Sequence, residues 1–191
     1  MNSLSITEIK SILSKGLKEE RFYHSLAVSA VAASLAMRYG GDIKKAELAG
    51  LIHDCAKAYP VDQYIRMADE FGIAIEPVER DNPQLIHAKL GAYYAKKDFF
   101  VDDDEILNSI IYHTTGRPGM GLLEKIIYVA DYIEPARYKA KRLDDVRRMA
   151  FKDLDECLNM ILSDTVEHLN EKQYVINPIT LDTYHYYSKN K

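Results

Sequence analysis

The stretch Ala49-Gly-Leu-Ile-His-Asp-Cys-Ala56 places an imidazole and a carboxylate side by side inside an otherwise apolar helical run. Burying His53 and Asp54 together is unfavourable unless a metal ion or a full set of hydrogen bonds receives them. Two more polar residues lie in similar apolar stretches, His24 upstream and Asp131 downstream. We therefore predict that these four side chains form one metal site.

The composition limits the class of protein. The chain has 191 residues, 47% of them hydrophobic, and contains no linker rich in proline and glycine. A chain of this length can bury a core of its own, so we expect one helical domain over residues 1–191. Its core is expected at about 20–140, with a helical extension over 142–191.

Charge and targeting patterns indicate where the protein acts. A net charge of −4 gives no general attraction for nucleic acid, so a phosphorylated substrate would have to be held by local cations. The amino terminus lacks a basic segment followed by a hydrophobic core, and no run of about 18 apolar residues occurs. Cys55 and Cys157 lie far apart, without the spacing of a zinc knuckle. We therefore expect a cytoplasmic protein that binds neither nucleic acid nor membranes.

The apolar spacing predicts an all-α fold. Ser5 and Glu8 form a capping-box pattern at the start of a first helix, and the Gly40-Gly41 pair ends the second. Helices after the first are expected at about 20–39, from Asp42 to just before Pro60, and near 61–71, 84–97, 103–113, 120–134 and 142–170. The last is predicted to be one long helix with a core-facing stripe at Phe151, Leu154, Leu158, Ile161, Leu162, Thr165 and Leu169.

The ligand types indicate a catalytic metal. Two imidazoles and two carboxylates form a mixed nitrogen and oxygen set that suits iron, manganese, cobalt or magnesium, whereas structural zinc sites are rich in thiolate. Consecutive helical residues point about 100° apart, so His53 and Asp54 share one ion only if it lies beside the helix. Their different directions also allow Asp54 to bridge to a second ion. His87 and His113 have similar apolar settings and are candidates for that second ion or for phosphate.

The ordered series of these residues resembles the HD-domain phosphohydrolase superfamily, and the flanking strings are similar to its YqeK branch. The resemblance covers roughly residues 20–180. An isolated His-Asp pair occurs by chance, whereas six ligand positions in this order form a specific pattern. The strings that carry it are Arg21-x-x-His24-Ser25, His53-Asp54-x-Ala56-Lys57, His87-Ala-Lys-Leu-Gly91-Ala92, His113-Thr-Thr-Gly116 and Tyr128-Val-Ala-Asp131-Tyr-Ile-Glu134-Pro135-x-Arg137.

This resemblance implies an activity and a cofactor. Members of the branch are symmetrical bis(5'-nucleosyl)-tetraphosphatases, so we expect hydrolysis of diadenosine tetraphosphate to two ADP by metal-activated water. The resemblance also implies an HD-domain helical bundle, iron bound as one or two ions, and a homodimer. The implied metal ligands are His24, His53, Asp54 and Asp131, with His87 and His113 beside them for a second ion or the phosphates.

The resemblance further implies residues that contact the substrate. Lys57 lies about one turn after His53, and Arg21 about one turn before His24, so both can reach a phosphate. The implied catalytic residues are Asp54, Lys57, His87 and His113. The other implied contacts are Cys55, Ala56, Thr114, Arg137 and the segment Tyr174-Val175-Ile176-Asn177-Pro178-Ile179, where Tyr174 would stack on an adenine and Asn177 would bind its polar edge.

Two other functions stay open at this point. The chain could be a different HD-type phosphohydrolase that acts on a nucleoside monophosphate, a deoxynucleoside triphosphate or a cyclic dinucleotide. The cyclic substrate is disfavoured because no Gly-Tyr-Pro signature follows His113. A non-catalytic nucleotide-binding module held together by a metal is disfavoured because a structural metal does not need Lys57 and Arg21 beside its ligands.

Several other chemically capable residues are expected to be structural. His168 and His185 lack an apolar frame and are predicted to lie at the surface. Cys55 is predicted to be a small buried side chain and not a nucleophile. The glycine-rich loop 116–121 lacks the Gly-Lys-Ser/Thr ending of a phosphate-binding loop, so we predict a turn.

Overall fold

The computed structural model describes residues 4–189; residues 1–3 and 190–191, which include the start of the amino terminus considered above and belong to the predicted domain, lie outside the described residues. The regular elements within the described part are all helical, which confirms the predicted all-α class. The α-helices are α1 (Ile6–Gly16), α2 (Glu19–Tyr39), α3 (Ile43–Ile52), α4 (Tyr64–Glu70), α5 (Pro77–Asp81), α6 (His87–Asp98), α7 (Asp104–Ile111), α8 (Leu122–Ile133), α9 (Leu143–Ala150), α10 (Leu154–Glu171) and α11 (Pro178–Lys189). Short 3-10 helices lie at Cys55–Ala58, Val61–Gln63 and Pro83–Ile86.

Local side-chain signals set several helix ends as predicted. The Ser5 hydroxyl accepts a hydrogen bond from the Glu8 backbone N–H, and the Glu8 carboxylate accepts one from the Ser5 backbone N–H. Gly40 ends α2 in the left-handed conformation, with φ at 70°. The Asp42 carboxylate accepts from two N–H groups in the first turn of α3. The predicted capping box, glycine stop and Asp42 cap are therefore confirmed.

The part of the core that supports the predicted metal ligands lies where α2, α3 and α8 pack together. Gly50 permits a close approach between α2 and α3, because a Cβ atom there would lie 2.8 Å from Ser29 Cα. The approach brings the His24 and His53 rings to a centroid separation of 5.3 Å. Buried apolar side chains of these three helices belong to the core, among them Val28, Ala32, Leu35, Leu51, Ile52, Ile126 and Ile127.

The third helix ends earlier than the sequence suggests. We predicted that it continues to just before Pro60, whereas α3 ends at Ile52 and a 3-10 helix follows at Cys55–Ala58. The Gly50 carbonyl accepts a hydrogen bond from His53 Nδ1 at 2.8 Å, and Asp54 leaves the helical region with φ −107° and ψ 15°. The turn brings His53 Nε2 within 3.4 Å of Asp54 Oδ2, so the side chains do not diverge as on a continuous helix.

The predicted long C-terminal helix is also divided. The structure has α9 and α10 in place of one helix over 142–170, and the break includes Phe151, which is 43% exposed and not part of the core. Arg38 donates to the Phe151 carbonyl at 2.8 Å, and the Asp153 carboxylate caps α10 by accepting from the Glu156 N–H. The rest of the predicted stripe faces inward: Leu154, Leu158, Ile161 and Leu162 are buried, and Thr165 and Leu169 are half-buried.

The end of the chain folds back onto the bundle through α11. Tyr187 Oη accepts a hydrogen bond from the Met120 N–H at 2.9 Å. Gly116 and Gly119 have positive φ values of 64° and 68°, as the predicted turn at 116–121 requires, and the turn is confirmed. Among the described helices, none is both long and apolar enough to cross a bilayer.

Candidate metal centre

Four predicted ligands from three parts of the chain meet beside α2. His24 lies in the second turn of α2, His53 and Asp54 lie in the turn after α3, and Asp131 lies near the end of α8. Asp131 Oδ1 is 3.1 Å from His24 Nε2 and 3.9 Å from His53 Nε2. Asp54 Oδ2 is 3.7 Å and 3.4 Å from the same two nitrogens. We call these four residues the first donor set.

The other oxygen of Asp54 faces two further histidines. Asp54 Oδ1 is 3.3 Å from His87 Nε2 and 3.5 Å from His113 Nε2. The two Nε2 atoms are 3.0 Å apart. These three residues form the second donor set, and Asp54 is common to both sets. The structure thus brings together all six predicted ligand positions around one carboxylate.

The orientation of three rings fixes which nitrogen is available. His53 Nδ1 is 2.8 Å from the Gly50 carbonyl, and His113 Nδ1 is 2.7 Å from the Ile110 carbonyl. His87 Nδ1 makes the equivalent contact with the Gln84 carbonyl. A carbonyl oxygen can only accept, so each Nδ1 donates, and each neutral ring keeps its lone pair on Nε2.

His24 reaches the same arrangement through a different partner. Its Nδ1 is 3.3 Å from Oε1 of Glu134, a buried carboxylate at the end of α8. Glu134 Oε2 also accepts from the Ala136 N–H, which holds the carboxylate in place. A carboxylate behind an imidazole fixes its tautomer and raises its basicity. Nε2 of His24 therefore also presents a lone pair to the first donor set.

The Nε2 lone pairs and carboxylate oxygens of the two donor sets point into one pocket, where a cation would stabilise them. The Nε2 lone pairs of His87 and His113 face each other, which is unfavourable unless a positive charge lies between them. Within residues 4–189, the buried atoms His24 Nε2, His53 Nε2 and Asp54 Oδ1 have no hydrogen-bond partner. Ligands bonded at about 2.1 Å to one ion lie roughly 3 to 4.2 Å apart, and the donor-atom distances given above for the two sets fall within this range. Both sets therefore fit a divalent metal ion. Two groups of three have donor atoms close enough to hold one: His24, His53 and Asp131 within the first set, and His53, Asp54 and His113, which include residues of both sets.

Electrostatics keep the donors in their metal-binding protonation states. Burial would raise the pKa of Asp54, but the His53, His113 and His87 imidazoles around it outweigh burial and hold the pKa well below its usual range. Burial would likewise raise the pKa of Asp131, but the facing His24 and His53 imidazoles hold it below its usual range. For His87, burial lowers the pKa to about 4, so the ring is neutral at pH 7.

Three predicted cations border the centre. Arg21 Nη1 and Lys57 Nζ lie 2.8 Å and 2.9 Å from Asp54 Oδ2. Arg137 donates to the Asp131 carbonyl and lies 3.3 Å from Asp131 Oδ1. Positive charge therefore lies against both carboxylates, on partly exposed side chains that can also meet an anion.

Two residues that support the centre were not identified from sequence. Glu134 orients His24, and Arg147 of α9 donates to the backbone carbonyls of Ile133, Glu134 and Arg137 at 3.0, 2.8 and 2.9 Å. The signal for Glu134 was its position as an acid at the end of the apolar helix α8. Arg147 gave no such signal, because its role depends on a contact between α9 and the end of α8.

Two open grooves meet beside the second donor set. The cationic groove, of about 720 Å³, is lined in part by Lys18, Arg21, Lys57 and His87. The tail groove, of about 690 Å³, is lined in part by Asn177, Pro178 and Ile179. Leu85 and Thr114 line both grooves, and Thr114 Oγ1 is 3.2 Å from His113 Nε2. A substrate extending into either groove would pass the metal centre.

The other predicted substrate contacts lie farther from the grooves. Tyr174 and Val175 are 61% and 66% exposed, and they do not line either groove in the described part of the chain, nor does Ile176. Cys55 and Ala56 are buried beside Asp54. Burial raises the pKa of the Cys55 thiol, which agrees with the prediction that it is not a nucleophile.

The two histidines outside the pattern behave as expected. His168 on α10 and His185 on α11 are exposed, which confirms that both lie at the surface.

Comparison with known proteins gives one family. The HD domain family matches residues 21–136. The chain is 40% identical over 179 residues, 94% of its length and 95% of the relative, to the symmetrical bis(5'-nucleosyl)-tetraphosphatase of Bacillus subtilis (strain 168). It is 33% identical to the Staphylococcus aureus (strain NCTC 8325 / PS 47) protein of the same name, covering 97% of this chain and 95% of that one.

A solved structure shares the fold throughout. A crystal structure from Clostridium acetobutylicum, described as a predicted HD superfamily hydrolase involved in NAD metabolism, is 39% identical to this chain, with a TM-score of 0.94, and the match covers 100% of both chains. The family match falls on the stretch that contains His24, His53, Asp54, His87, His113 and Asp131. The chain therefore belongs to the HD-domain family.

Proposed function

We propose that this protein is a metal-dependent hydrolase that cleaves dinucleoside tetraphosphates symmetrically, with diadenosine tetraphosphate giving two ADP. The names of the relatives that cover nearly the whole chain support this reaction. The observation that carries the proposal is the position of Asp54. Its two oxygens belong to two donor sets, and Arg21 and Lys57 lie against it. Such a centre combines sites for two cations with groups that attract phosphate.

His24, His53, Asp54 and Asp131 would hold one ion, and Asp54, His87 and His113 would hold the second. The nitrogen and oxygen donors suit iron, manganese, cobalt or magnesium. Divalent ions at these positions would lower the pKa of a bound water toward neutrality and offset the charge that develops on the phosphoryl oxygens. Iron follows from the family resemblance, and elemental analysis of the purified protein tests it.

The cations of the chain would position the polyphosphate. Lys57 and Arg21 line the cationic groove and already lie beside Asp54, so a phosphate that approaches this carboxylate comes within their reach. Arg137 lies on the opposite side of the centre, against Asp131. Charge-assisted bonds from these groups orient the middle phosphates and stabilise the extra negative charge of the transition state.

Neutral groups of the second donor set would complete the site. Because the pKa of His87 is about 4, its ring does not repel a cation at pH 7. Thr114, beside His113, can donate its hydroxyl hydrogen to a phosphoryl oxygen where the two grooves join. Asp54, Lys57, His87 and His113 are the residues we propose for catalysis.

The tail groove would take up part of a nucleotide. Asn177, Pro178 and Ile179 line this groove, which supports the proposed role of these residues in binding. Contacts by Tyr174, Val175, Ile176, Cys55 and Ala56 are proposed from the family resemblance. A homodimer is proposed on the same ground, and light scattering of the purified protein tests it. A cytoplasmic location is proposed from the sequence patterns described above.

Product analysis tests the proposed reaction. Protein loaded with iron is incubated with diadenosine tetraphosphate, and the nucleotides are separated by chromatography. ADP as the sole product supports symmetrical cleavage. Equal amounts of ATP and AMP, or no turnover with any of the four metals, would contradict it. Protein treated with a chelator serves as the control and should be inactive.

A further inference from the structure

The cationic groove lies beside the metal centre in addition to the tail groove. The two grooves are close in volume, about 720 and 690 Å³, and each lies within the range of a small-molecule site. Under the proposed function, the bond that breaks lies at the middle of the substrate, so a nucleoside diphosphate extends to each side of the centre. We propose that the cationic groove is a second nucleotide subsite, which holds one nucleoside diphosphate half while the tail groove holds the base of the other.

The cations of this groove form a path that leads outward from the metal centre. Arg21 and Lys57 contact Asp54 at its inner end. Lys18, exposed at the start of α2, lines the same groove one helical turn before Arg21. A diphosphate carries its charge over a short distance, and point charges placed along its length hold it in register. Lys18, Arg21 and Lys57 can therefore hold the diphosphate of a nucleotide that extends from the metal centre into the cationic groove.

An aromatic side chain in the same groove offers a surface for the base. Tyr59 is 38% exposed and stacks on Tyr94, which is buried, with the ring centroids 4.9 Å apart and the planes at 17°. A ring that is packed in this way loses little freedom when a base stacks on its exposed part. Stacking on an aromatic ring tolerates any base, because each base has a π-face. Tyr59 therefore supplies a contact for the nucleoside beyond the cations.

The tail groove has the opposite electrostatic character. Glu76 and Asp182 line it, and its lysine, Lys89, is paired with Glu79 at 2.6 Å. Carboxylates repel phosphate, whereas they can accept hydrogen bonds from the amino group of a base. The two grooves therefore suit different parts of a nucleotide, although the substrate itself is symmetrical.

Equilibrium dialysis of labelled ADP against the metal-loaded protein tests the second subsite. Two ADP molecules per chain are expected for the wild-type protein. In Lys18→Ala the weaker of the two affinities should fall several-fold, and in the Lys18→Ala/Tyr59→Leu double variant one ADP should remain bound. Lys15→Ala, an exposed lysine of α1 one turn earlier, is the matched control and should bind two. One ADP bound per wild-type chain, or two bound unchanged by the double variant, would overturn the proposal.

Hydrolysis provides the second readout. The double variant should lose about tenfold or more in kcat/KM for diadenosine tetraphosphate, as expected when a stacked base and a phosphate contact are removed. Lys18→Ala alone changes an exposed side chain without a capping bond, so its folding should be unaffected. Binding of two ADP by a wild-type protein that does not cleave the dinucleotide would contradict the proposed function and not the second subsite. Cleavage at the wild-type rate by Lys18→Ala and by the double variant would contradict the second subsite and not the proposed function.

Discussion

One histidine of the first donor set, His24, is oriented by a different means from His87 and His113 of the second set. In the second set, His87 and His113 each direct Nδ1 to a backbone carbonyl three residues earlier, in a turn at a helix end. In the first set, His53 does the same, whereas His24 lies inside α2, beyond its first turn, and its Nδ1 meets Glu134, which is 110 residues later in the chain. Carbonyls within a helix are engaged by its own N–H groups, whereas those near its end are free to accept. A histidine inside a helix therefore needs a tertiary partner.

This difference makes the first donor set depend on the C-terminal part of the chain. Glu134 follows the last turn of α8, and Arg147 of α9 donates to four carbonyls in this region. The two histidines of the second donor set lie at the start of α6 and just after α7, and the set shares Asp54 with the first. Changes at the end of α8 should therefore affect one set, whereas changes at Asp54 should affect both.

The largest effect is expected from Asp54→Asn, which alters the carboxylate that both sets share. We expect turnover to fall about a thousandfold or more, because one charge is removed from both cation sites. Circular dichroism should show a folded protein. Asp144→Asn, at an exposed acid of α9, is the control and should keep wild-type turnover. Substantial turnover by Asp54→Asn would show that the shared carboxylate is not essential.

A pH effect on stability should follow from His87 of the second set. The pKa of His87 is about 4 in the folded protein, against 6.5 as its ordinary value, so the unfolded chain binds this proton more readily. The contribution of His87 to stability is complete above pH 6.5 and is lost as the pH falls toward 4. In urea unfolding of chelator-treated protein, the wild type should lose up to about 3 kcal/mol more than His87→Gln between pH 7 and 4. Parallel losses in both proteins would rule out this origin.

Changes at Glu134 should weaken the first set while the second is kept. Glu134→Leu removes the acceptor for His24 Nδ1, and we expect metal affinity at this set to fall about 10- to 100-fold. Glu134→Gln keeps a side-chain oxygen that can accept, so it should recover part of the affinity. Calorimetric titration of metal into the chelator-treated protein should show one weakened phase and one unchanged phase. Equal weakening of both phases would contradict the separation of the two sets.

The smallest effect is expected from Arg147→Met. Its loss leaves the carbonyls of Ile133, Glu134 and Arg137 without a charged donor, and we expect unfolding free energy to fall by about 1 to 2 kcal/mol. Arg148→Met is the matched control. Arg148, the neighbour of Arg147 on α9, is 65% exposed and pairs with Asp145, so its replacement should change stability little. Thermal denaturation measures both variants. Similar melting temperatures for Arg147→Met and the wild type would remove Arg147 from the account.

The sequence predicted what depends on residue type and local spacing. Apolar periodicity gave most helices, and capping residues such as Asp42 gave their starts, because both act within a few residues. The six ligand positions stood out because His and Asp are costly inside apolar helices. The structure brings these six positions together.

Features that depend on a choice between hydrogen-bond partners were not predictable. The end of α3 follows from the contact between His53 and the Gly50 carbonyl, and the break before α10 involves Arg38, which is remote in sequence. The roles of Glu134 and Arg147 depend on which group each faces after folding. The two grooves are formed by segments far apart along the chain, so neither their number nor their opposite charge could be deduced from any one stretch.

Anomalous diffraction at the metal absorption edges of a metal-loaded crystal tests the central claim most directly. We expect two peaks bridged by the Asp54 carboxylate: one among His24, His53 and Asp131, the other between His87 and His113. An Asp54→Asn crystal prepared in the same way should show both peaks reduced. A metal-loaded crystal with no peak at Asp54, or with a single peak bound by one donor set alone, would contradict a centre built from two sets around a shared carboxylate.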